Sequence, residues 1–368
     1  MKILYISNSI IPSTNANSVH VMKMCQALAD NGHKVTLLAP NKVNNFEKNI
    51  SDVYEFYNVK KNFEIKKLWY PNFKGKTIVY TLLILFYIIK KKKFELIYGR
   101  FLLGCYIASL LKNNVIFEAH DPIFDRRYFE LVVFSKLAKS KYLKRIVVIS
   151  NELKKIFLKR KFLSEYKIIV AHDGADVVNN FENRIQLLGA KENIKVGYVG
   201  NLYKGKGIEV IAEIYNKVKN DVEFHIIGGK KDDVEYWKNK IIGNNVYFYG
   251  FIPQNILSEY LNSLDICLLP NQLNLNISGV GNISNYTSPL KLFEYMSHKK
   301  AIIASNINVI KEILNKNNSI LVKCDDYNGW INSIEKLKSD TYRKKIEDQA
   351  LNDFQIFSWS NRVKKILT

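Results

Sequence analysis

The chain has no Cys-x-x-Cys pair, no His-Glu-x-x-His, no Gly-x4-Gly-Lys-Ser/Thr loop and no Ser, His and Asp in an order that suggests a triad. Zinc-protease, P-loop NTPase and serine-hydrolase chemistry therefore have no support. Its four cysteines, Cys25, Cys105, Cys267 and Cys324, are far apart, which argues against a disulfide scaffold and for a reducing compartment with buried free thiols. No apolar run approaches the ~20 residues that a membrane-spanning helix needs. The opening Met1-Lys2-Ile3-Leu4-Tyr5-Ile6-Ser7 has one lysine and turns polar at Asn8 and Ser9, so it reads as a strand and not as a signal peptide. The protein is expected to stay in the cytoplasm.

Acidic residues are scarce. There are 34 Asp and Glu against 55 Lys and Arg, a formal net charge of +21. Residues 1–180 hold 30 basic and 14 acidic residues, +16, while residues 181–368 hold 25 and 20, +5. Nucleic acid is the first partner such a charge suggests, yet no helix-turn-helix spacing, zinc-finger pattern or RNP-like aromatic motif accompanies it, so none is expected. An anionic membrane surface fits better. Ile78–Ile89 is apolar apart from Thr81 and the tyrosine hydroxyls, and Lys90-Lys91-Lys92-Lys93 follows. Two readings of it stay open. It is a buried helix with a solvated basic end, or it docks on an anionic leaflet, the second favoured if the lysine run shares a face with Arg126, Arg127, Lys136, Lys139, Lys141, Lys144, Arg145, Lys154 and Lys155. On the second, the protein is peripheral on the inner face of the cell membrane.

At 368 residues the chain is too long for one ordinary core and fits two domains. Residues 2–7 read as a buried strand, Ile11–Ser18 as a polar loop, Val21, Met24, Cys25 and Leu28 as a helix face stopped by Asn31-Gly32, and Val35–Ala39 as a second strand. Further strands are expected near 63–69, 96–98, 115–118, 146–150 and 168–171, with helical stretches between. This alternation predicts an α/β fold with a parallel, doubly wound sheet whose ligands bind beyond the carboxyl ends of the strands. The pattern pauses in the polar stretch 178–193 and restarts at Val196-Gly197-Tyr198-Val199-Gly200, with strands expected over 222–227, 246–249 before Gly250, 266–269 and 301–304. Two similar halves facing across a cleft result, residues 1–180 and 185–354.

The segment Asn285-Tyr-Thr-Ser-Pro-Leu-Lys-Leu-Phe-Glu-Tyr-Met296 places Pro289 at the first turn of a helix that starts at Ser288 or close to it. The Ser288–Leu290 backbone, at the positive end of the helix dipole, would hold a phosphate or diphosphate with Lys291, and Glu294 would accept hydrogen bonds from ribose hydroxyls. The plainer reading is a capped amphipathic helix.

That wording resembles the nucleotide-binding segment of retaining glycosyltransferase family 4, which has the GT-B fold of two Rossmann-like domains. Gly200-Asn201-Leu-Tyr-Lys204-Gly-Lys206-Gly207 is similar to the family's Gly-Arg-Leu-x3-Lys-Gly, whose arginine and lysine hold the donor diphosphate. Lys206 matches, whereas Asn201 stands in the arginine's place, leaving Lys204, Lys206 and Lys291 to neutralise the phosphates. Tyr286 stands where the family often has a glutamate that contacts the transferred sugar. Phe117-Glu118-Ala119-His120-Asp121 resembles the family's histidine segment, which implies a catalytic place for His120 facing the donor phosphates and sugar. More loosely, Arg100 and the Asn17-Ser18 pair fall where members approach donor and acceptor. Phe357-Ser-Trp359 and the helix after it resemble the family's terminal helix, so residues 355–368 are expected to return to the first domain.

The resemblance implies transfer of a sugar from a nucleotide-sugar donor to an acceptor hydroxyl with retention, the acceptor being a lipid-linked or surface-polysaccharide glycan. His120, Lys206 and Glu294 are the expected catalytic residues. Asn17, Ser18, Arg100, Gly200, Asn201, Lys206, Gly250, Tyr286, Ser288, Pro289, Leu290, Lys291 and Glu294 are the expected donor-binding set. No Asp-x-Asp occurs, so neither a metal nor any other cofactor is expected. A nucleotide-sugar epimerase of the same fold and a non-catalytic nucleotide-binding subunit, which Asn201 and Tyr286 would suit, are the alternatives.

Overall fold

The computed structural model describes residues 1–42, 47–91, 94–123, 128–277 and 281–368. They divide into unit 1, Met1–His172 with Trp359–Thr368, and unit 2, Asp173–Ser358. The division falls at His172/Asp173, ahead of the polar stretch 178–193 where the sequence places it. Residues 355–358 also stay with unit 2, so the segment that rejoins unit 1 is shorter than expected.

In unit 1 the strands are β1 (Lys2–Ile6), β2 (Lys34–Asn41), β3 (Glu64–Trp69), β4 (Leu96–Gly99), β5 (Val115–Ala119), β6 (Leu143–Val148) and β7 (Ile168–Val170). They form one parallel sheet in the order β3-β2-β1-β4-β5-β6-β7. The helices are α1 (Ala16–Asp30), α2 (Val53–Phe56), α3 (Lys76–Lys91), α4 (Leu102–Leu110), α5 (Tyr128–Ala138) and α6 (Asn151–Lys159). The order grows outward from β1 in one direction and from β4 in the other. Right-handed crossovers therefore put the helices of the two directions on opposite faces. Accordingly α3, α4 and α5 pack side by side, while α1 packs on the C-terminal helix, Trp359–Leu367. Central strands covered on both faces need apolar runs and not alternation. Residues 3–6 and 35–39 are buried throughout, apart from the single hydroxyl of Thr36 all apolar or tyrosine.

The α3 helix settles the first of the two readings only by half. Tyr80, Thr81, Ile84 and Ile88 are buried, but Ile78, Leu82, Phe86 and Ile89 are exposed. Lys90 and Lys91 are exposed at its end, whereas Lys92, Lys93, Arg126 and Arg127 lie outside the described residues. No helix among the described residues is long and apolar enough to cross a membrane.

Unit 2 repeats the plan. Its strands are β8 (Ile194–Val199), β9 (Val222–Ile227), β10 (Val246–Gly250), β11 (Ile266–Leu269), β12 (Asn276–Ile277), β13 (Gly281–Asn282), β14 (Ala301–Ser305) and β15 (Ile320–Val322). Six of them make a parallel sheet, β10-β9-β8-β11-β14-β15, and β12 pairs antiparallel with β13 in a hairpin that the sequence reading did not anticipate. The helices are α7 (Ile208–Ile214), α8 (Lys231–Lys240), α9 (Gln254–Asn262), α10 (Leu290–Ser297), α11 (Asn308–Lys311), α12 (Tyr327–Leu337) and α13 (Asp340–Phe354), and α14 (Trp359–Leu367) belongs to unit 1. Alternate residues of β11 feed separate cores. Ile266 and Leu268 pack on one face, Cys267 and Leu269 on the other, as the two-residue period of a strand requires. All four cysteines are free and buried.

Candidate functional site

In unit 2 the strand order reverses between β8 and β11, and sheets of this kind bind ligands beyond the carboxyl ends of the strands at such a point. β8 runs out at Val199 into Gly200, whose φ is +138° and whose N–H donates to Ile227 O at 2.8 Å. Gly228, after β9, has φ +112°, and a Cβ there would lie 2.4 Å from Gly200 O. Only glycine lets these two strand ends approach so closely. The turn between Gly200 and Gly207 is held by its own surroundings. The Tyr198 hydroxyl donates to Asn201 O at 2.6 Å, and the Glu209 carboxylate accepts from Gly205 N at 2.8 Å and Gly207 N at 3.1 Å. Glu209 is therefore a brace that the sequence reading passed over. An acid in the first turn of a helix that opens on glycine was the signal available.

Helix α10 is tied to the same strand ends. The Tyr295 hydroxyl accepts from Val199 N at 2.9 Å and donates to Leu268 O at 3.3 Å. One helical turn back, this anchor brings the Lys291 ammonium to within 3.8 Å of where a Gly200 Cβ would sit, and 4.0 Å from the centre of the Tyr198 ring. The ammonium is buried and has no hydrogen-bond partner among the described residues. Burial pushes its pKa well below the usual lysine value, the positive charge of Lys206 adds to this, and Glu294 opposes it. Burial also lowers Lys206, to about 8. Two desolvated lysines beside a glycine turn and a helix N-terminus form a cluster of donors suited to a diphosphate.

Other expected residues of unit 2 are arranged in part differently from the sequence reading. Pro289 is the N-cap of α10, with φ −77° and ψ 118°, and Leu290 is the first helical residue, so the helix starts close to Ser288 as the sequence reading has it, with Pro289 just ahead of the first turn. The Ser288 hydroxyl accepts Asp173 N at 3.0 Å and is engaged in fixing the chain at the start of unit 2. Tyr286 is 5% exposed, in the turn before α10. Lys204 is exposed on the glycine turn, and Gly250, at φ +70°, serves through its carbonyl, which accepts Gly228 N at 2.7 Å.

In unit 1 the order reverses between β1 and β4, and Arg100 and His120 follow the ends of β4 and β5. His120 bonds through Nε2 to the carboxylate of Glu118, two residues earlier. Glu118 is the centre of the cluster, 1% exposed inside an otherwise apolar strand. The Tyr98 hydroxyl donates to it, Arg362 Nη2 donates at 3.0 Å, and His20 Nε2 lies 2.8 Å away. Arg362 also donates to Ala171 O and His172 O, so α14 is fastened to the strand ends by one guanidinium. Burial alone would raise the Glu118 pKa, but Arg362, His20 and the His120 bond outweigh it and hold the carboxyl well below its ordinary value. His120 is driven the other way, to about 4, by burial and then by Arg100, despite Glu118. It is a neutral imidazole at pH 7. Arg100 itself has a buried Nη1 without a partner among the described residues.

The Asn17-Ser18 expectation fails in part. Both lie inside α1 and not in a loop, because the helix begins at Ala16. Ser18 is 1% exposed and its hydroxyl donates to Ile10 O at 2.9 Å, which occupies it with the backbone, while Asn17 remains exposed. Glu118, Arg362, His20 and Tyr98 went unassigned in the sequence. A lone acid within Val-Ile-Phe-Glu-Ala was a visible sign, but its arginine partner is 244 residues away.

Comparison with known proteins accords with both halves. The family described as Glycosyltransferase Family 4 matches residues 18–178, and Glycosyl transferases group 1 matches residues 193–340. An uncharacterized glycosyltransferase of Methanocaldococcus jannaschii is 24% identical over 408 residues, spanning 99% of this chain and 97% of that one. The UDP-Gal:alpha-D-GlcNAc-diphosphoundecaprenol alpha-1,3-galactosyltransferase of Escherichia coli is 23% identical over 78% of each chain. Among solved structures, Anabaena HepE in complex with UDP and glucose superposes with a TM-score of 0.73 at 16% identity, covering 100% of this chain and 99% of that one. The chain is a family 4-like glycosyltransferase whose two parallel-sheet α/β domains are those of the GT-B fold.

Proposed function

We propose that this glycosyltransferase moves a sugar from a uridine diphosphate sugar to a hydroxyl of a lipid-linked glycan, with retention at the anomeric carbon. The observation that carries this reading is the buried Lys291 ammonium, without a hydrogen-bond partner among the described residues, near Lys206 at the Gly200 turn. Holding a desolvated positive charge costs folding free energy, and a bound diphosphate offsets that cost. The difficult step is departure of the nucleoside diphosphate from an oxocarbenium-like centre. The two lysines and the N-terminus of α10 would stabilise the charge that develops on it without a resident metal. Glu294, one turn after Lys291, would take the ribose hydroxyls, and neutral His120 would face the reacting sugar. The UDP held by the Anabaena structure and the UDP-galactose and diphosphoundecaprenol in the name of the Escherichia coli relative support this donor and acceptor class.

The test is incubation with a panel of UDP-sugars, with and without a polyprenyl-diphosphate-linked sugar. Acceptor-dependent UDP release, with a product glycosidic bond of the donor's anomeric configuration by NMR, is expected. Conversion of the donor to another sugar nucleotide without acceptor would make the protein an epimerase. Binding without turnover of any donor would make it a non-catalytic subunit.

A further inference from the structure

Among the described residues nineteen large hydrophobic side chains are exposed, and six of them, Trp69, Phe73, Ile78, Leu82, Phe86 and Ile89, fall within 21 residues of unit 1. The last four recur at spacings of four, four and three, so they share one stripe of α3 while Tyr80, Ile84 and Ile88 face the domain interior. From Ile78 to Ile89 that stripe is about 17 Å long at 1.5 Å per residue, far short of a bilayer but well suited to lying along its surface. Trp69 and Phe73 stand at its amino end, with ring centroids 6.4 Å apart. Between Trp69 and Lys91 the only charged residues are Lys74, Lys76, Lys90 and Lys91.

We infer that the stripe Ile78, Leu82, Phe86 and Ile89, with Trp69 and Phe73, is the face on which unit 1 rests in an anionic lipid bilayer, its rings and aliphatic chains reaching the headgroup–acyl boundary. This rests on the lipid-linked acceptor proposed above, since such an acceptor is confined to that surface. The charge selects the occupant. Along residues 69–91 four lysines and no acid flank the apolar stripe, and although Glu64 of β3 bears on Lys91 it is paired with Lys66, so the net charge is positive and complements anionic headgroups, whereas two copies meeting through this face would oppose like charges. The stripe thus does what the lysine run alone does not, because apolar insertion resists salt and headgroup attraction is screened by it.

The protein reports on this by itself. Trp237, Trp330 and Trp359 are buried at 8%, 0% and 5% exposure, and Trp69 is 60% exposed, so a change of tryptophan emission on adding lipid isolates Trp69. Vesicles of phosphatidylglycerol with phosphatidylcholine should shift the emission to the blue, and brominated lipid should quench it. The double variant Leu82→Ser with Phe86→Ser should bind these vesicles at least about tenfold more weakly. Its UDP release with a detergent-dispersed acceptor should stay at the wild-type rate. Unchanged vesicle affinity in the double variant, or a wild-type dimer in sedimentation that the variant abolishes, would overturn the inference. Loss of lipid binding alone leaves the transferase reading standing. Absence of transfer in detergent, with lipid binding intact, refutes that reading and not this one.

Discussion

A nucleoside diphosphate that binds at pH 9 should take up close to one proton through Lys206. In the free protein burial holds this ammonium at about 8, against an ordinary 10.5. At pH 9 it is therefore about one-tenth protonated, and a bound diphosphate that restores the ordinary value would protonate it almost fully. The interval between 8 and 10.5, at ~1.4 kcal/mol per pH unit, sets a ceiling of ~3.5 kcal/mol on the coupling, to be reduced for the part of the side chain that water reaches. The sign follows. Affinity through this group is constant below about pH 7, where Lys206 is charged in both states, and falls as pH rises above 8. Phosphate, with a second pKa near 6, no longer titrates in this range. Titration calorimetry of UDP in buffers of different ionisation enthalpy, at pH 7 and pH 9, measures the uptake directly. Lys206→Arg keeps its charge at both pH values and should lose the Lys206 share, leaving only what Lys291 contributes. Equal uptake in the variant and the wild type at pH 9, or none in the wild type, would refute the placement of Lys206 at the phosphates.

Glu294→Ala should weaken UDP binding by about 1.5–3 kcal/mol, the range for a charged hydrogen bond, and unchanged affinity by calorimetry would remove Glu294 from the ribose. His120→Ala should lower kcat by about 10² or more with little change in UDP affinity, whereas near-normal turnover would return His120 to a purely structural role beside Glu118. Glu118→Gln strips the counter-ion from Arg362 and should cost ~3–5 kcal/mol in denaturant unfolding of the chain. Because the Glu118 carboxyl is held well below 4.5, its contribution is complete above that pH and is lost as the pH falls further, so the wild type should lose more stability than the variant on acidification.

The doubly wound sheets were legible because buried parallel strands are written as continuous apolar runs, and 3–6, 266–269 and 301–304 are such runs. The lysine cluster was half legible. Lys206 was named from the resemblance of its segment to the family's motif and Lys291 from its helix start, but that Tyr295 joins α10 to β8 and so brings the two ammonium groups near each other is a matter of packing. Hydroxyl-bearing residues near helix starts misled the reading, because the Ser18 and Ser288 side chains serve the backbone of Ile10 and Asp173. The Glu118–Arg362 pair is invisible to any local pattern, since burial of a charge is decided by a partner from the far end of the chain. For α3, twelve nearly continuous apolar residues are compatible with burial or with docking on a surface, and only the fold reveals that one stripe is left exposed among the described residues.

The central claim, that Lys206 and Lys291 hold the distal phosphates of the donor, is tested most directly by the affinity ratio of UMP to UDP in the wild type and in Lys206→Ala and Lys291→Ala. The predicted result is that each substitution weakens UDP far more than UMP, so that the preference for the diphosphate collapses while the fold, followed by circular dichroism, is kept. Equal losses for both ligands, or none, would contradict the account.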